Sequence, residues 1–344
     1  MISLIIPNAG MADAILLFIF GLLLLIKGGD WFVDGATAIA KRFHIPDILI
    51  GATVVSIGTT LPEVMVSATG AAVGQSSMAY GNAIGSIICN TALIAAITVA
   101  IKPAQVDRKS LIIPVCFFFG AAIFYSCMSY FTGEFPLWSG LLLLATFVVY
   151  MVLTVIKAFS SAKQVTGADG LLNPEALETK QEETEEKDSL FKSIFFLIVG
   201  AFVIAIGADL LVDKGTYLAT LMGVPETVIA LTFVALGTSL PELVTAITSL
   251  MRGRGALSLG NLIGANLFNL VLVSGVAITI SPFAVPVGKL IGGISASLAI
   301  DIPVMLGVMA LLTVPALIRG KLSKIQGYAL LAIYIAYVTL QFVL

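Results

Sequence analysis

The 344-residue chain has few charged residues and a single histidine. Asp, Glu, Lys and Arg make up 11% of the sequence and hydrophobic residues 59%, whereas soluble domains carry about 25% charged residues. Lipid is therefore the expected solvent for most of the chain. The net charge of −2 argues against a nucleic-acid partner. The three cysteines show no C-x-x-C spacing, so we expect no disulfide framework or thiolate metal site and interpret them as small core residues.

Ten apolar segments meet or approach the roughly 20 residues needed to cross a bilayer core of about 30 Å. They predict membrane spans at residues 11–40, 46–73, 78–101, 110–131, 135–159, 190–221, 224–251, 256–281, 287–316 and 323–343. Lys and Arg are concentrated in alternate loops, which is typical of the cytoplasmic side. This asymmetry predicts a multi-pass protein of the plasma or inner membrane with both termini outside. The acidic segment 160–189 is predicted to be a cytoplasmic linker.

The two halves of the chain contain the same pattern. Aligning the chain with itself at an offset of 179 residues matches the segment 28–90 to the segment 207–269 without gaps. Each copy begins a set of five spans, so the second copy enters the membrane from the opposite side. We therefore expect an all-α membrane protein of ten transmembrane helices in two inverted five-helix repeats, residues 1–159 and 190–344, joined by the linker 160–189. Inverted repeats place a binding site near the middle of the bilayer.

A proline and a glutamate interrupt the second span of each half. The sequences are Gly-Thr-Thr-Leu-Pro-Glu, ending at Glu63, and Gly-Thr-Ser-Leu-Pro-Glu, ending at Glu242. Proline removes a backbone donor, so we expect the second and seventh helices to be broken there, with free carbonyl groups that line a cavity or bind an ion. A carboxylate at mid-span costs at least about 2.5 kcal/mol on insertion scales, so a cation is expected to compensate it. Lys27 is an alternative partner for these carboxylates.

The third span of each half adds polar groups to the predicted site. Ser86 and Asn90 are four residues apart and share one helical face, and Asn269 occupies the position equivalent to Asn90. Carboxylate, hydroxyl, amide and carbonyl oxygens are ligands for hard cations such as Ca²⁺ or Na⁺. We therefore expect transported ions, with no cofactor and no catalytic residue.

These doubled motifs resemble the alpha repeats of the sodium/calcium exchanger family, within the cation/calcium antiporter superfamily, and are most similar to compact prokaryotic exchangers. The resemblance implies exchange of Ca²⁺ for Na⁺ by alternating access, in which the first and sixth spans slide against the other eight. It assigns Ca²⁺ to Glu63, Glu242 and the carbonyl groups of Thr59 and Thr238. It assigns Na⁺ to two sets of residues, one in each half. The first set is Ser56, Thr60, Glu63 and Ser86, and the second is Ala235, Ser239 and Glu242. Asn90 and Asn269 complete the centre of the site.

Two departures from the family pattern leave the driving ion open. Ala265 stands where relatives often have serine, and Asn269 stands where some have aspartate. An H⁺/Ca²⁺ antiporter is therefore the main alternative, and an intramembrane hydrolase or a passive cation channel are less favoured ones. The expected partners are Ca²⁺ and Na⁺, with H⁺ as the alternative to Na⁺, and the lipid bilayer, with function as a monomer. The roles of Asp30, Asp34, Asp209, Asp213 and Asp301 stay open.

Overall fold

The computed structural model describes residues 10–43, 45, 47–72, 74, 76–103, 105–168, 190–221, 235–286 and 290–343. Almost all of these residues are helical, as the long apolar runs predict. The α-helices are α1 Met11–Phe43, α2 Asp47–Ile50, α3 Ser56–Ala72, α4 Ser76–Cys89, α5 Ala96–Ile101, α6 Arg108–Cys127, α7 Leu137–Ala168, α8 Leu190–Leu221, α9 Ala235–Thr238, α10 Leu240–Met251, α11 Gly255–Phe268, α12 Ser274–Ile280, α13 Ile302–Arg319 and α14 Lys324–Val343.

Short π-helical segments and strands join several of these helices. The π-helical segments are Gly51–Val55, Asn90–Ala95, Met128–Thr132, Asn269–Val273 and Ser297–Asp301. The strands are β1 Glu134–Phe135, β2 Phe283–Ala284, β3 Leu290–Ile291 and β4 Ile294–Ser295. β1 pairs antiparallel with β2, with Glu134 opposite Ala284, and β3 pairs antiparallel with β4. The β1–β2 pair therefore connects the loop before α7 to the loop after α12.

Eight helical stretches of the described residues are long and apolar enough to cross a membrane. They coincide with eight of the ten predicted spans: Met11–Phe43, Ile48–Ala72, Ala79–Ile101, Arg108–Thr132, Leu137–Lys157, Leu190–Gly207, Gly255–Ile280 and Ser297–Arg319. The predicted seventh span is described only from residue 235, where α9 and the apolar helix α10 follow each other. The predicted tenth span is the 20-residue helix α14. The chain is thus a helical, multi-pass membrane protein.

The second and seventh spans are irregular in different ways. Ser239 forms a turn between α9 and α10, so the seventh span is interrupted inside the predicted motif. In the second span, α3 runs unbroken through Pro62, and the irregularity lies earlier, in the π-helical segment Gly51–Val55. The predicted break at Pro62 is therefore wrong. The reason is that one proline removes one backbone hydrogen bond, and the turns on either side of it stay helical.

The spans that carry the repeated motifs form the centre of the molecule. Within the apolar 18-residue core of each span, 72% and 78% of the residues are buried in the stretches 79–101 and 255–280 and 61% in the stretch 48–72, compared with 22% in the first and in the sixth span. The large exposed hydrophobic side chains are most numerous on α1, α7 and α8, as expected for surfaces that face lipid. The motif helices are thus shielded from lipid by the rest of the bundle.

The two outer helices α1 and α8 pack against each other in antiparallel fashion through glycines. A Cβ atom placed on Gly28 would lie 3.0 Å from the Gly200 carbonyl oxygen, and one placed on Gly207 would lie 2.8 Å from the Gly21 carbonyl oxygen. Only glycine allows two backbones to approach so closely. Later positions on α1 therefore face earlier positions on α8, as expected for helices that cross the membrane in opposite directions.

Some sequence predictions need correction or lie outside the described residues. Cys89 is buried, but Cys116 and Cys127 are exposed on α6, so only one of the three cysteines is a core residue. The face of a helix that a small residue occupies depends on packing, which the local sequence does not reveal. α7 continues as a helix to Ala168, past the predicted end of the fifth span at residue 159. His44 and the linker residues 169–189 lie outside the described residues.

Candidate ion-binding site

Glu63 and Glu242 are both fully buried. Glu63 lies in α3, Glu242 lies in the first turn of α10, and each has 0% exposure. No described group donates a hydrogen bond to any of their four carboxylate oxygens. The two side chains are close enough for the charge of Glu242 to act on Glu63. The structure therefore brings together the two carboxylates that the repeat singled out.

No basic side chain of the described residues pairs with these carboxylates. The ion pairs in this part of the chain join Lys214 to Asp213 and Arg252 to Asp30 and Asp34. Lys27, the alternative partner considered from the sequence, is exposed on α1. Burying an unpaired charge in a medium of low dielectric constant costs several kcal/mol. The two glutamates are therefore stable in the ionised form only with a bound cation. Without a cation, they are stabilised by binding protons.

Other polar atoms without a partner cluster on the predicted site residues. Sixteen buried side-chain nitrogen or oxygen atoms have no hydrogen-bond partner among the described residues, and ten of them belong to six predicted site residues. These six residues are Thr60, Glu63, Asn90, Ser239, Glu242 and Asn269. Buried polar groups in folded proteins are normally hydrogen-bonded. Such a concentration of unsatisfied oxygens and amides indicates a place where a ligand completes the bonding.

The hydroxyl groups of three other predicted residues already have partners. Ser56 donates to the carbonyl oxygens of Gly51 at 2.7 Å and Asn261 at 2.9 Å, and Thr59 donates to Asn261 Oδ1 at 3.3 Å. Thr238 donates to Asn82 Oδ1 at 3.3 Å. Their hydroxyl oxygens can still accept or coordinate, because each carries two lone pairs. Ser56, Thr59 and Thr238 therefore order the site and remain possible ion ligands.

Two asparagines connect the repeats in a way that the sequence interpretation missed. Thr59 of the first half bonds to Asn261 of the second, and Thr238 of the second half bonds to Asn82 of the first. Each residue of one bond is 179 positions from its counterpart in the other. Asn82 Nδ2 also donates to the Glu63 carbonyl oxygen at 3.2 Å. The signal was available, because Asn82 and Asn261 occupy equivalent positions of the repeat.

Asn261 is tied to the second glutamate through Thr245. The Asn261 amide group donates to Thr245 Oγ1 at 2.9 Å, and the Thr245 hydroxyl donates to the Glu242 carbonyl oxygen at 3.0 Å. Both side chains are buried. Each asparagine therefore joins the backbone of one glutamate to the threonine of the opposite motif.

The helices that carry Asn90 and Asn269 widen at these residues. The π-helical segments Asn90–Ala95 and Asn269–Val273 both begin at the asparagine, at equivalent positions of the two halves. Such segments are rare and occur frequently at functional sites. Ser274 donates to the Asn269 carbonyl oxygen at 3.1 Å, which satisfies one backbone group of the second segment. The local geometry thus sets both asparagines apart from ordinary helix-packing residues.

Close packing between α11 and the start of the second span positions the first motif. A Cβ atom placed on Gly264 would lie 2.6 Å from the Ala52 Cα atom, and one placed on Gly51 would lie 2.7 Å from the Asn261 amide nitrogen. These contacts involve backbone atoms, which cannot move aside as a flexible side chain does. The glycines therefore set the separation between the two halves at the site.

The remaining predicted residues are placed as follows. Ser86 is buried on α4 at 3% exposure, and Ala235 is the first residue of α9, so that only its backbone position is described. Cys89 lies beside Ser239 and Glu242, although the sequence interpretation gave it no place at the site. No group of three or more His, Cys, Asp or Glu residues of the described chain is arranged to hold a metal. A cation at this site would therefore rely on two carboxylates and neutral oxygens.

The other acidic residues lie outside this centre. Arg252, at the end of α10, forms ion pairs with Asp34 and, at 2.9 Å, with Asp30. These ion pairs connect α1 to α10. Asp213 pairs with the buried Lys214 at 2.7 Å within α8. Asp30, Asp34 and Asp213 are thus used in ion pairs.

A buried, duplicated carboxylate site inside a multi-pass helical bundle is typical of an ion transporter. The sequence pattern of the sodium/calcium exchanger protein family matches residues 13–156 and 192–343. The chain therefore belongs to the sodium/calcium exchanger family. It is a membrane antiporter of the cation/Ca²⁺ class and not an enzyme.

Three relatives illustrate the similarity. An uncharacterized membrane protein of Methanocaldococcus jannaschii is 32% identical over 324 residues, covering 92% of this chain and 94% of the relative. The sodium/calcium exchanger MaX1 of Methanosarcina acetivorans is 28% identical over 357 residues, covering 95% and 98%. The structure superposes on the sodium-calcium exchanger NCX_Mj with a TM-score of 0.76 at 28% identity, covering 96% of this chain and 99% of that one.

Proposed function

We propose that this protein exchanges Ca²⁺ for Na⁺ across the membrane by alternating access, with Glu63 and Glu242 as the central ligands of both ions. The concentration of unsatisfied buried polar atoms on Thr60, Asn90, Ser239 and the two glutamates carries this proposal. Relatives point the same way, since MaX1 is named a sodium/calcium exchanger. Structures of NCX_Mj were obtained with Na⁺, with Ca²⁺ and with Sr²⁺.

The charge of the site explains why two ions would be exchanged and not bound together. Two ionised carboxylates balance one Ca²⁺ or two monovalent cations in the buried centre. Loading both at once would leave an excess of positive charge in a medium of low dielectric constant, which is strongly unfavourable. Binding of Ca²⁺ and binding of Na⁺ at Glu63 and Glu242 therefore exclude each other, and this exclusion is the basis of antiport.

Reciprocal contacts support two inverted five-helix repeats with ten spans in total. Gly28 is equivalent to Gly207 and Gly21 is equivalent to Gly200 at the 179-residue offset, so the Gly28–Gly200 contact corresponds to the Gly207–Gly21 contact. The Thr59–Asn261 and Thr238–Asn82 bonds behave in the same way. Such pairs are expected when a pseudo-twofold axis in the membrane plane relates the halves. The site then lies on this axis, equally placed for access from either side.

The arrangement in the membrane follows from the distribution of basic residues. We place both termini outside and the linker 160–189 in the cytoplasm, in the plasma or inner membrane, because Lys and Arg are concentrated in alternate loops. One chain contains both carboxylates and their surrounding oxygens, so a monomer is sufficient for the proposed exchange.

Exchange of Ca²⁺ for H⁺ is the second candidate. Ala265 is buried at the position equivalent to Ser86, so one hydroxyl ligand is missing from the second half. Asn269 carries no charge, which limits the central carboxylates to two. Protons can neutralise Glu63 and Glu242 as well as two Na⁺ ions can, since like charges close together raise the affinity for any cation.

Flux measurements with separately imposed gradients distinguish these candidates. In sealed vesicles that contain the purified protein, a Na⁺ gradient at constant pH should drive Ca²⁺ across the membrane in the direction opposite to Na⁺ flow. A pH gradient in the absence of Na⁺ should not drive Ca²⁺ movement. Vesicles containing the Glu63→Gln, Glu242→Gln double variant provide the control. Ca²⁺ movement driven by a pH gradient alone would favour the H⁺ antiporter. Ca²⁺ conductance without any counter-ion would indicate a channel.

A further inference from the structure

A second polar cluster surrounds Asp301, away from the central glutamates. Asp301 ends the π-helical segment Ser297–Asp301 and immediately precedes α13. It is half-buried in a helical stretch apolar enough to cross the membrane. No Lys, Arg or His of the described chain lies within ion-pair distance of it. An ionisable residue inside a span without a basic partner calls for a specific role.

Helix α14 orients the Asp301 carboxylate. Tyr337 donates its hydroxyl hydrogen to Asp301 Oδ1 at 3.1 Å, and the Gln341 side-chain amide donates to the same oxygen at 2.8 Å. Both are hydrogen bonds to a carboxylate, which stabilise its ionised form without supplying a positive charge. The Ser297 hydroxyl lies beside the carboxylate, one turn earlier in the chain. The carboxylate is thus held in place, and in its ionised form no basic side chain of the described chain balances its charge.

Tyr80 places a buried hydroxyl group near this carboxylate. Its side chain is 3% exposed, and no described group meets the geometry of a hydrogen bond to its hydroxyl oxygen. This hydroxyl group lies close to the Ser297 side chain, and the charge of Asp301 acts on it. Leaving a buried hydroxyl group unpaired costs about 1–3 kcal/mol. A bound ion would use this oxygen and balance the charge of Asp301 at the same time.

We propose that Asp301, Tyr80 and Ser297 form a second cation site that binds Na⁺. One carboxylate balances one monovalent ion, whereas protein sites for Ca²⁺ generally combine several carboxylate and carbonyl oxygens. All the surrounding groups are oxygen ligands, which suit a hard cation. The site binds Na⁺ whether or not Na⁺ drives transport, so it does not depend on the proposed exchange.

The position of this site relates it to the central one. Tyr80 precedes Ser86 by six residues and Asn90 by ten on the same helical span, which corresponds to about 9 Å and 15 Å along the helix axis. The charge distribution of the loops places this end of α4 on the outer side. Na⁺ bound at Asp301 therefore lies between the outer surface and the central carboxylates.

Thermal unfolding of the full-length protein in detergent tests the site. The Glu63→Gln, Glu242→Gln double variant is used as background, because it removes the charge of the central site. Its unfolding midpoint should rise with NaCl relative to choline chloride at equal ionic strength and constant pH. Adding Asp301→Asn should abolish this rise, and adding Tyr80→Phe should increase the half-saturating Na⁺ concentration about tenfold. Tyr328→Phe, at an exposed position of the same helix as Tyr337, is the matched control and should leave the rise unchanged.

Several results would overturn the proposal. The absence of any Na⁺-dependent rise in the double variant would do so, as would a rise that persists after Asp301→Asn. A midpoint that responds to pH through Asp301 but never to Na⁺ would identify a proton site and reject the Na⁺ site. If Asp301→Asn does not fold, Tyr80→Phe decides, because it removes one hydroxyl group and keeps the ring. None of these outcomes depends on Ca²⁺ flux, so failure here is separate from failure of the proposed exchange.

Discussion

Replacing Glu63 by glutamine should strongly weaken Ca²⁺ binding without lowering the stability of the ion-free protein. The substitution preserves the shape of the side chain and removes one of two buried, unpaired charges. Ca²⁺ bound to a single remaining carboxylate leaves one uncompensated charge, and breaking a buried charge pair costs about 3–5 kcal/mol. Since about 1.4 kcal/mol corresponds to a factor of ten, Ca²⁺ should bind roughly 100- to 3,000-fold more weakly.

The ion-free state should respond in the opposite direction. Without a cation, the Glu63 and Glu242 carboxylates repel each other inside the bundle. Removing one charge relieves this repulsion, so the unfolding midpoint of Glu63→Gln in Na⁺-free buffer with a Ca²⁺ chelator should equal or exceed that of the wild type. A substitution that only damaged the fold would lower the midpoint in every buffer.

Thermal unfolding with and without Ca²⁺, together with isothermal titration, measures both effects. Glu134→Gln, at an exposed position in β1, is the control and should bind Ca²⁺ like the wild type. Undiminished Ca²⁺ affinity of Glu63→Gln would refute the role of this carboxylate. A midpoint well below that of the wild type in chelator would refute the unfavourable interaction between the two glutamates.

Three further predictions concern the surroundings of the glutamates. Gly264→Ala should reduce both transport and the unfolding midpoint, since its Cβ would lie 2.6 Å from the Ala52 Cα atom and overpacking costs about 1–3 kcal/mol; Gly120→Ala, with no atom within 4 Å of its Cβ, should be neutral in both assays. Asn261→Leu should lower Ca²⁺ affinity measured by titration more than it lowers stability, because hydrogen bonds between membrane helices contribute only about 0.6 kcal/mol each. Ala265→Ser should change the half-saturating Na⁺ concentration for flux more than that for Ca²⁺; a larger change for Ca²⁺ would contradict the view that this position is a Na⁺ ligand.

Several features of the site were predictable because the chain contains two copies of the same motif. A carboxylate inside one apolar span has several explanations, but Glu63 and Glu242 at equivalent positions imply convergence near a symmetry axis. Asn90 and Asn269 followed from the same comparison, whereas Thr60 and Ser239 followed from the resemblance to the exchanger family, and the structure leaves the polar atoms of all four unsatisfied. The second copy of the motif thus indicated that the glutamates belong to one shared site, which a single copy does not indicate.

Other features depended on which helix faces which. The Thr59–Asn261 bond joins residues 202 positions apart, and the Arg252 ion pairs with Asp30 and Asp34 cross more than 200 positions. Local sequence carries no information on such contacts, because they are set by the packing of whole helices. The location of the helix irregularity in the second span was missed for a related reason. A π-helical turn reflects the fit of the segment against its neighbours, whereas a proline can be read directly from the sequence.

The sequence alone determined that this chain is a membrane protein with duplicated motifs and an acidic residue at the same point of each, because hydrophobic length and repeat spacing are properties of the linear chain. The tertiary structure decided that Lys27 is exposed and not a counter-ion, that Asn82 and Asn261 connect the halves, and that Asp301 faces Tyr337 and Gln341. These outcomes depend on the rotation of each helix about its axis. That rotation is fixed by packing against distant helices, through energies that no short segment contains.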